Sequence, residues 1–86
     1  MFYTYVLKSE KDSRFYTGST NDLQKRLSEY NSGRVTSTKG RGSFELIYYE
    51  ASLNEQDARA REKYLKTGMG KRYIKNRLKR FLSLTG

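Results

Sequence analysis

The chain has 86 residues, room for a single small domain spanning 1–86 around one core. It contains no histidine and no cysteine, which excludes imidazole bases, thiolate nucleophiles, disulfide frameworks and zinc sites built on those ligands. Its 18 lysines and arginines against 9 acidic residues give a formal charge of +9, an excess that suits a polyanionic partner, nucleic acid first.

FYTYVLK, residues 2–8, is aromatic and β-branched and reads as a strand, with Phe2, Thr4 and Val6 on one face and Tyr3, Tyr5 and Leu7 on the other. The polar SEKDS turns the chain and RFYTG returns as the second strand of a hairpin. Asn21 with Gln24 resembles a capping box, and Leu23, Leu27 and Tyr30 repeat at helical spacing until Asn31-Ser32-Gly33, which predicts a helix over 21–31. RVTSTKGRG has no apolar period and reads as a loop; its Thr36, Thr38, Lys39 and Arg41 either close over backbone phosphates or merely flex.

FELIYYE, 44–50, is the third strand. Ser52 with Glu55 is a second capping pattern, opening a helix through DARAREKYLK to Gly68. From Gly70 the segment KRYIKNRLKRFL sets Ile74, Leu78 and Phe81 on an apolar stripe, and no acidic residue follows Glu62. The order β-β-α-β-α-α predicts a small α+β (α/β) fold, a three-stranded, mainly antiparallel sheet flanked by helices. No apolar run approaches the roughly 20 residues that span a bilayer. MFYTYVLKSEK starts as a strand, without the basic flank and apolar core of a signal peptide, so a cytoplasmic protein without membrane contact is expected.

Two charges fall where periodicity predicts burial. Arg26 lies three residues after Leu23 and four before Tyr30; Glu62 lies four after Ala58 and three before Leu65. The plain reading is that they pair with each other or with surface charges, that each tyrosine packs, and that the basic tail is a solvated face or meets an anionic membrane surface. Their combination in one basic chain points instead to phosphodiester hydrolysis. Arg26 can grip a phosphate, Glu62 alone suffices for Mg²⁺, which keeps most of its waters, and Tyr5 or Tyr16 can handle the proton of an attacking water.

Tyr3-Thr4-Tyr5 and Tyr16-Thr17-Gly18, with ten residues between Tyr5 and Tyr16 and S-T-N-D-L-x-x-R-L after them, resemble the GIY-YIG endonuclease signature. The likeness extends through E-Y-N-S-G to A-R-A-R-E-K-Y-L-K, and is nearest to the stand-alone single-domain bacterial type, similar to the N-terminal nuclease module of the excinuclease C subunit. It implies a metal-dependent DNA endonuclease using Mg²⁺ or Mn²⁺, compatible with DNA repair or recombination. Tyr5 and Tyr16 then position or deprotonate the water, Arg26 stabilises the phosphate, Glu62 is the single metal ligand, and Gly18 lets the backbone turn into the helix. Tyr30 becomes a supporting or catalytic partner of Arg26, and Asn76 the counterpart of a late asparagine.

The chain departs from the pattern in reading YTY at the first triplet, and Tyr30-Asn31 where many relatives carry His-Asn. Lys39, Arg41, Lys71, Arg72, Lys75, Asn76 and Lys79 are the expected nucleic-acid contacts, with DNA the expected partner, RNA compatible, and an accessory protein or a flapped, branched or damaged substrate supplying selectivity. The alternative is a nucleic-acid-binding module on a degenerate nuclease scaffold.

Overall fold

β1, Phe2–Ser9, occupies the middle of the sheet, pairing antiparallel with β2 (Phe15–Thr20) on one side and β3 (Phe44–Ser52) on the other, in the order β2-β1-β3. The structure, a computed structural model, describes residues 1–35 and 42–85, so the loop expectation for Thr36, Thr38, Lys39 and Arg41 lies outside the described residues. Helices cover both faces. α1 (Leu23–Asn31) lays Leu23, Leu27 and Tyr30 over Tyr5 and Leu7. α2 (Glu55–Leu65) and α3 (Gly68–Arg77) bring Leu65 and Ile74 onto Val6, and α4 (Lys79–Thr85) follows. Thr4 is fully buried between β1 and α2, and its Oγ1 donates to the Ala58 carbonyl at 2.8 Å, so the hydroxyl is satisfied.

The expected order β-β-α-β-α-α is observed, with one further helix, α4, at its end and with local differences. β1 and β3 slip register between Val6 and Leu7: Val6 faces Tyr48 while Leu7 faces Leu46, so Ile47 is an extra residue. Strict alternation would hold Phe44, Leu46, Tyr48 and Glu50 on one face. The bulge sends Phe44 and Leu46 to the α1 side and leaves Tyr48 on the α2–α3 side.

Each helix start falls later or earlier than its sequence pattern. Asp22, in extended conformation, caps α1 through Lys25 N, in place of Asn21; Asn54 caps α2 through Gln56 N and Asp57 N, in place of Ser52. α2 closes at Leu65, and Thr67 caps α3 by accepting from Gly70 N at 3.1 Å. The basic segment is two helices, because the chain leaves helical geometry at Leu78 (φ −105°, ψ 25°). Asn31 ties α1 to β3 by mimicking a strand: its Oδ1 accepts from Phe44 N at 2.7 Å and its Nδ2 donates to Phe44 O at 3.2 Å.

Gly70 is where α3 meets the end of α2. A Cβ there would run into the Tyr64 carbonyl oxygen and the Leu65 Cα, backbone atoms with no side-chain freedom to give way. Gly70→Ala is therefore expected to cost about 3 kcal/mol of stability in denaturant unfolding. A loss below about 0.5 kcal/mol, the range of ordinary surface substitutions, would contradict so tight a seat.

Candidate active site

On the α1 face, Arg26 reaches from the first turns of its helix to the centre of the sheet. Its Nε donates to the Tyr5 hydroxyl at 3.2 Å and its Nη1 to Glu29 Oε1 at 3.1 Å, while the guanidinium lies 5.1 Å from the centre of the Tyr30 ring. The Tyr5 and Tyr30 hydroxyls are 3.4 Å apart and their rings meet edge to face. Tyr16 belongs to the same apolar cluster, packing edge-on against Phe44, which also touches Tyr30. The sequence thus brings Tyr5, Arg26 and Tyr30 into one hydrogen-bonded group, with Tyr16 beside it.

Burial pushes the Tyr5 phenol well above its usual range, and the Tyr30 hydroxyl adds to this, although Arg26 pulls the other way. Tyr5 is consequently a neutral phenol at physiological pH. The hydrogen bond to Tyr5 in turn holds the Arg26 guanidinium firmly charged. With its side chain 37 % exposed, Arg26 keeps access to solvent while anchored.

Gly18 pairs directly opposite Tyr5 in the β1–β2 ladder, so the Tyr5 ring lies over the place where a side chain would stand. A Cβ at 18 would overlap the Tyr5 hydroxyl and Cζ. Gly18→Ala is expected to drive the ring from Arg26 and Tyr30 and to cost about 1–3 kcal/mol, read by denaturant unfolding and by a shifted Tyr5 NMR resonance. An unshifted resonance would mean that the ring does not need the glycine.

Glu62 stands on the other face, against the edge strand β2. Ser19 faces Thr4 across the β1–β2 ladder and so points toward α2, where its Oγ donates to Glu62 Oε1 at 2.8 Å; Lys66 Nζ donates to Oε2 at 2.8 Å. Burial works against the charge of Glu62, but the hydrogen bonds from Lys66 and Ser19 outweigh it and hold the carboxyl below the usual carboxylate range. Arg26 and Glu62 do not pair with each other: Glu29 and Lys66, their helical neighbours, partner them. Ser19 and Glu29 fall inside the family motifs S-T-N-D-L and E-Y-N-S-G but are not among the site residues that the sequence singles out. Glu29 was visible as an i+3 neighbour of Arg26, whereas Ser19 needs the strand register.

Among the described residues no three of His, Cys, Asp or Glu gather into a metal site. A single half-buried carboxylate fits a hard cation such as Mg²⁺ that keeps several waters, and it does not fit zinc. Lys66 already holds one of its oxygens, so a cation there would share or displace that contact.

The two halves are linked around the edge strand. Tyr16, Thr17 and Tyr30 from the tyrosine side and Lys66 and Lys71 from the helical side line one groove of about 340 Å³. Lys75 and Lys79 line a neighbouring groove, while Arg72 and Asn76 are exposed on α3. Lys39 and Arg41 lie outside the described residues. A second aromatic and charged cluster forms on β3, α2 and α3: Arg61 Nε donates to both Glu50 oxygens (3.2 and 2.9 Å), and Tyr48 donates to Glu50 Oε2 at 2.9 Å and meets Tyr73. There the arginine faces a full carboxylate partner and is sandwiched against Tyr64 and Tyr73, an arrangement that spends its charge inside the fold.

Residues 1–76 match the family model of the GIY-YIG catalytic domain. A UPF0213 protein of Clostridium perfringens is 45% identical over 67 residues, covering 77% of this chain and 71% of the relative. One from Pediococcus pentosaceus is 36% identical over 85 residues, covering 98% and 88%. The solution NMR structure of the UPF0213 protein BH0048 from Bacillus halodurans superposes with a TM-score of 0.53 at 31% identity, over 86% of this chain and 82% of that one.

Proposed function

The chain belongs to the GIY-YIG family, and from that premise we propose that it is a metal-dependent DNA endonuclease whose site wraps the β2 edge. Family membership implies nuclease function. The observation that carries this proposal is that the Tyr5–Arg26–Tyr30 cluster reaches, through Tyr30, a basic groove that shares Lys66 with the recess of the charged Glu62 carboxylate. Hydrolysis joins a water oxygen to phosphorus and breaks the bond to one ester oxygen, which leaves with a proton. The site must therefore neutralise the phosphate, orient the water and move a proton.

In this reading Arg26, fixed by Tyr5 and Glu29, presents its guanidinium edge to the non-bridging oxygens. Tyr5 enters the reaction protonated. Its hydroxyl accepts from Arg26 Nε, so its own proton is aimed at Tyr30 or at a phosphate or water oxygen. Tyr30 supports it through the contact of their hydroxyls, and the role of meeting the water is assigned here to Tyr16, which lines the groove. Glu62 is the residue that would hold Mg²⁺ or Mn²⁺, which when bound supplies charge to the phosphate and lowers the pKa of its own waters. Lys66 and Lys71 line the approach.

One observation favours the non-catalytic binding module: both Glu62 oxygens and the Arg26 Nη1 are already occupied within the protein. Incubation of the purified protein with Mg²⁺ or Mn²⁺ and a panel of single-stranded, duplex, flapped and branched DNA separates the two. Cutting of at least one structure is expected. Salt-sensitive binding to all of them with no cutting would leave the binding module.

A further inference from the structure

Three recesses along the β2 edge are joined by shared residues. Lys66 lines both the recess of Glu62 and the groove of Tyr16 and Tyr30. Phe15 lines both that groove and the next, where Lys8, Lys75 and Lys79 stand near the hairpin turn. α3 carries its cations on distinguishable sides. Ile74 points into the core onto Val6; Tyr73 turns toward β3, meeting Tyr48 and Arg61, and Arg77 shares that side four residues on. Lys71 and Lys75 lie on the opposite flank, toward β2, each in one of the joined grooves.

From this arrangement we propose that the β2 edge is a track for one single strand of DNA, with its phosphates on Lys71, Lys75 and Lys79, its bases against Phe15, and its path leading to the recess of Glu62. A rise of about 1.5 Å per residue sets Lys71 and Lys75 about 6 Å apart, the order of the spacing between neighbouring phosphates of an extended strand. Lys71 and Lys75 follow one another a turn apart on one flank of α3, and Lys79 opens α4 in the same groove as Lys75, an order that suits one backbone better than the two of a duplex. A half-buried aromatic beside a basic groove is the combination by which single strands are held without sequence choice. No acidic residue follows Glu62 to interrupt these lysines. The end point of the track rests on the nuclease reading; the track itself does not.

Binding is measured by fluorescence anisotropy across a salt series, in chelator so that nothing is cut, with a labelled oligothymidylate and a hairpin duplex as probes. Wild type is expected to prefer the single strand. Lys71→Gln with Lys75→Gln is expected to weaken it about tenfold and to flatten the log–log salt slope by about 1.4, the value for two lost single-strand phosphate contacts. Arg77→Gln with Arg80→Gln, the latter exposed on α4 and lining neither groove, removes the same charge and is expected to weaken it less than about threefold. Equal losses from the two pairs, or preference for the duplex, would overturn the track.

Photocross-linking of a bromouracil-substituted strand to the unaltered protein gives an answer that does not depend on a variant folding. Adducts are expected within Phe15–Thr17, and adducts confined to other segments would count against the track. Cleavage is assayed separately with metal. A protein that binds along this edge and never cuts overturns the nuclease reading alone; one that cuts, yet shows equal losses from both pairs, overturns the track alone.

Discussion

Glu62→Gln is expected to reduce metal-dependent cleavage by on the order of a thousandfold or more while the protein stays folded and bound to DNA. Glutamine keeps the shape of the side chain and can still accept from Ser19, so the fold has little reason to change. What it removes is the charge, and among the described residues no cluster of further acidic groups stands ready to replace it. Calorimetric titration with Mn²⁺ provides a second readout: the variant should show binding weakened or lost even before DNA is added. Retained cleavage with unchanged Mn²⁺ binding would place the metal elsewhere.

The same substitution carries a pH signature. Because the folded-state pKa of Glu62 is depressed, its charge contributes stability above the ordinary carboxylate range, and that contribution fades as pH falls through the lowered folded value. Any stability advantage of wild type over Glu62→Gln near neutrality should accordingly vanish in acid.

Arg26→Ala is expected to lower cleavage by about 10²–10³, the loss typical when one donor to a developing oxyanion is deleted. Truncation also frees the Tyr5 hydroxyl from the donor that orients it and leaves Glu29 without its partner. Stability should change little, since Arg26 is over one-third exposed and such pairs are weak. Arg26→Lys separates charge from geometry. Lysine keeps the positive charge but cannot bond Tyr5, Glu29 and a phosphate from one planar fork, so it should recover only part of the rate. Full activity in Arg26→Ala would mean that Arg26 merely braces Tyr5.

Much of the architecture was readable because its signals are local. Tyr3, Tyr5 and Leu7 against Thr4 and Val6 gave the two faces of β1, and Leu23, Leu27 and Tyr30 gave the inward side of α1. The departures come from features with no local mark. The bulge at Ile47 hides inside an unbroken run of strand formers, so the alternation through FELIYYE misassigns half of β3. The break at Leu78 has neither glycine nor proline to announce it.

For the site, spacing along each helix was enough to single out Arg26 and Glu62, but not to say how the sheet separates them. Thr4 and Tyr5 are neighbours in sequence and point to opposite faces, and with them go the partners of Glu62 and of Arg26. Only the register shows that Ser19 and Gly18, adjacent on the edge strand, support the two halves. Asn31, read as a helix stop, is a clamp on β3. Lys71 and Arg72 looked alike as charges, and the three-dimensional path of α3 sets only Lys71 in the groove beside Tyr16 and Tyr30.

The most direct measurement is single-turnover cleavage of a flapped DNA, started by adding Mg²⁺ or Mn²⁺ to complexes preassembled with wild type and with Glu62→Gln. Wild type should release fragments only after the metal arrives, and the variant should hold the DNA uncut. Intact DNA in both reactions across the whole panel of structures, or equal cutting by both proteins, would contradict a nuclease centred on Glu62.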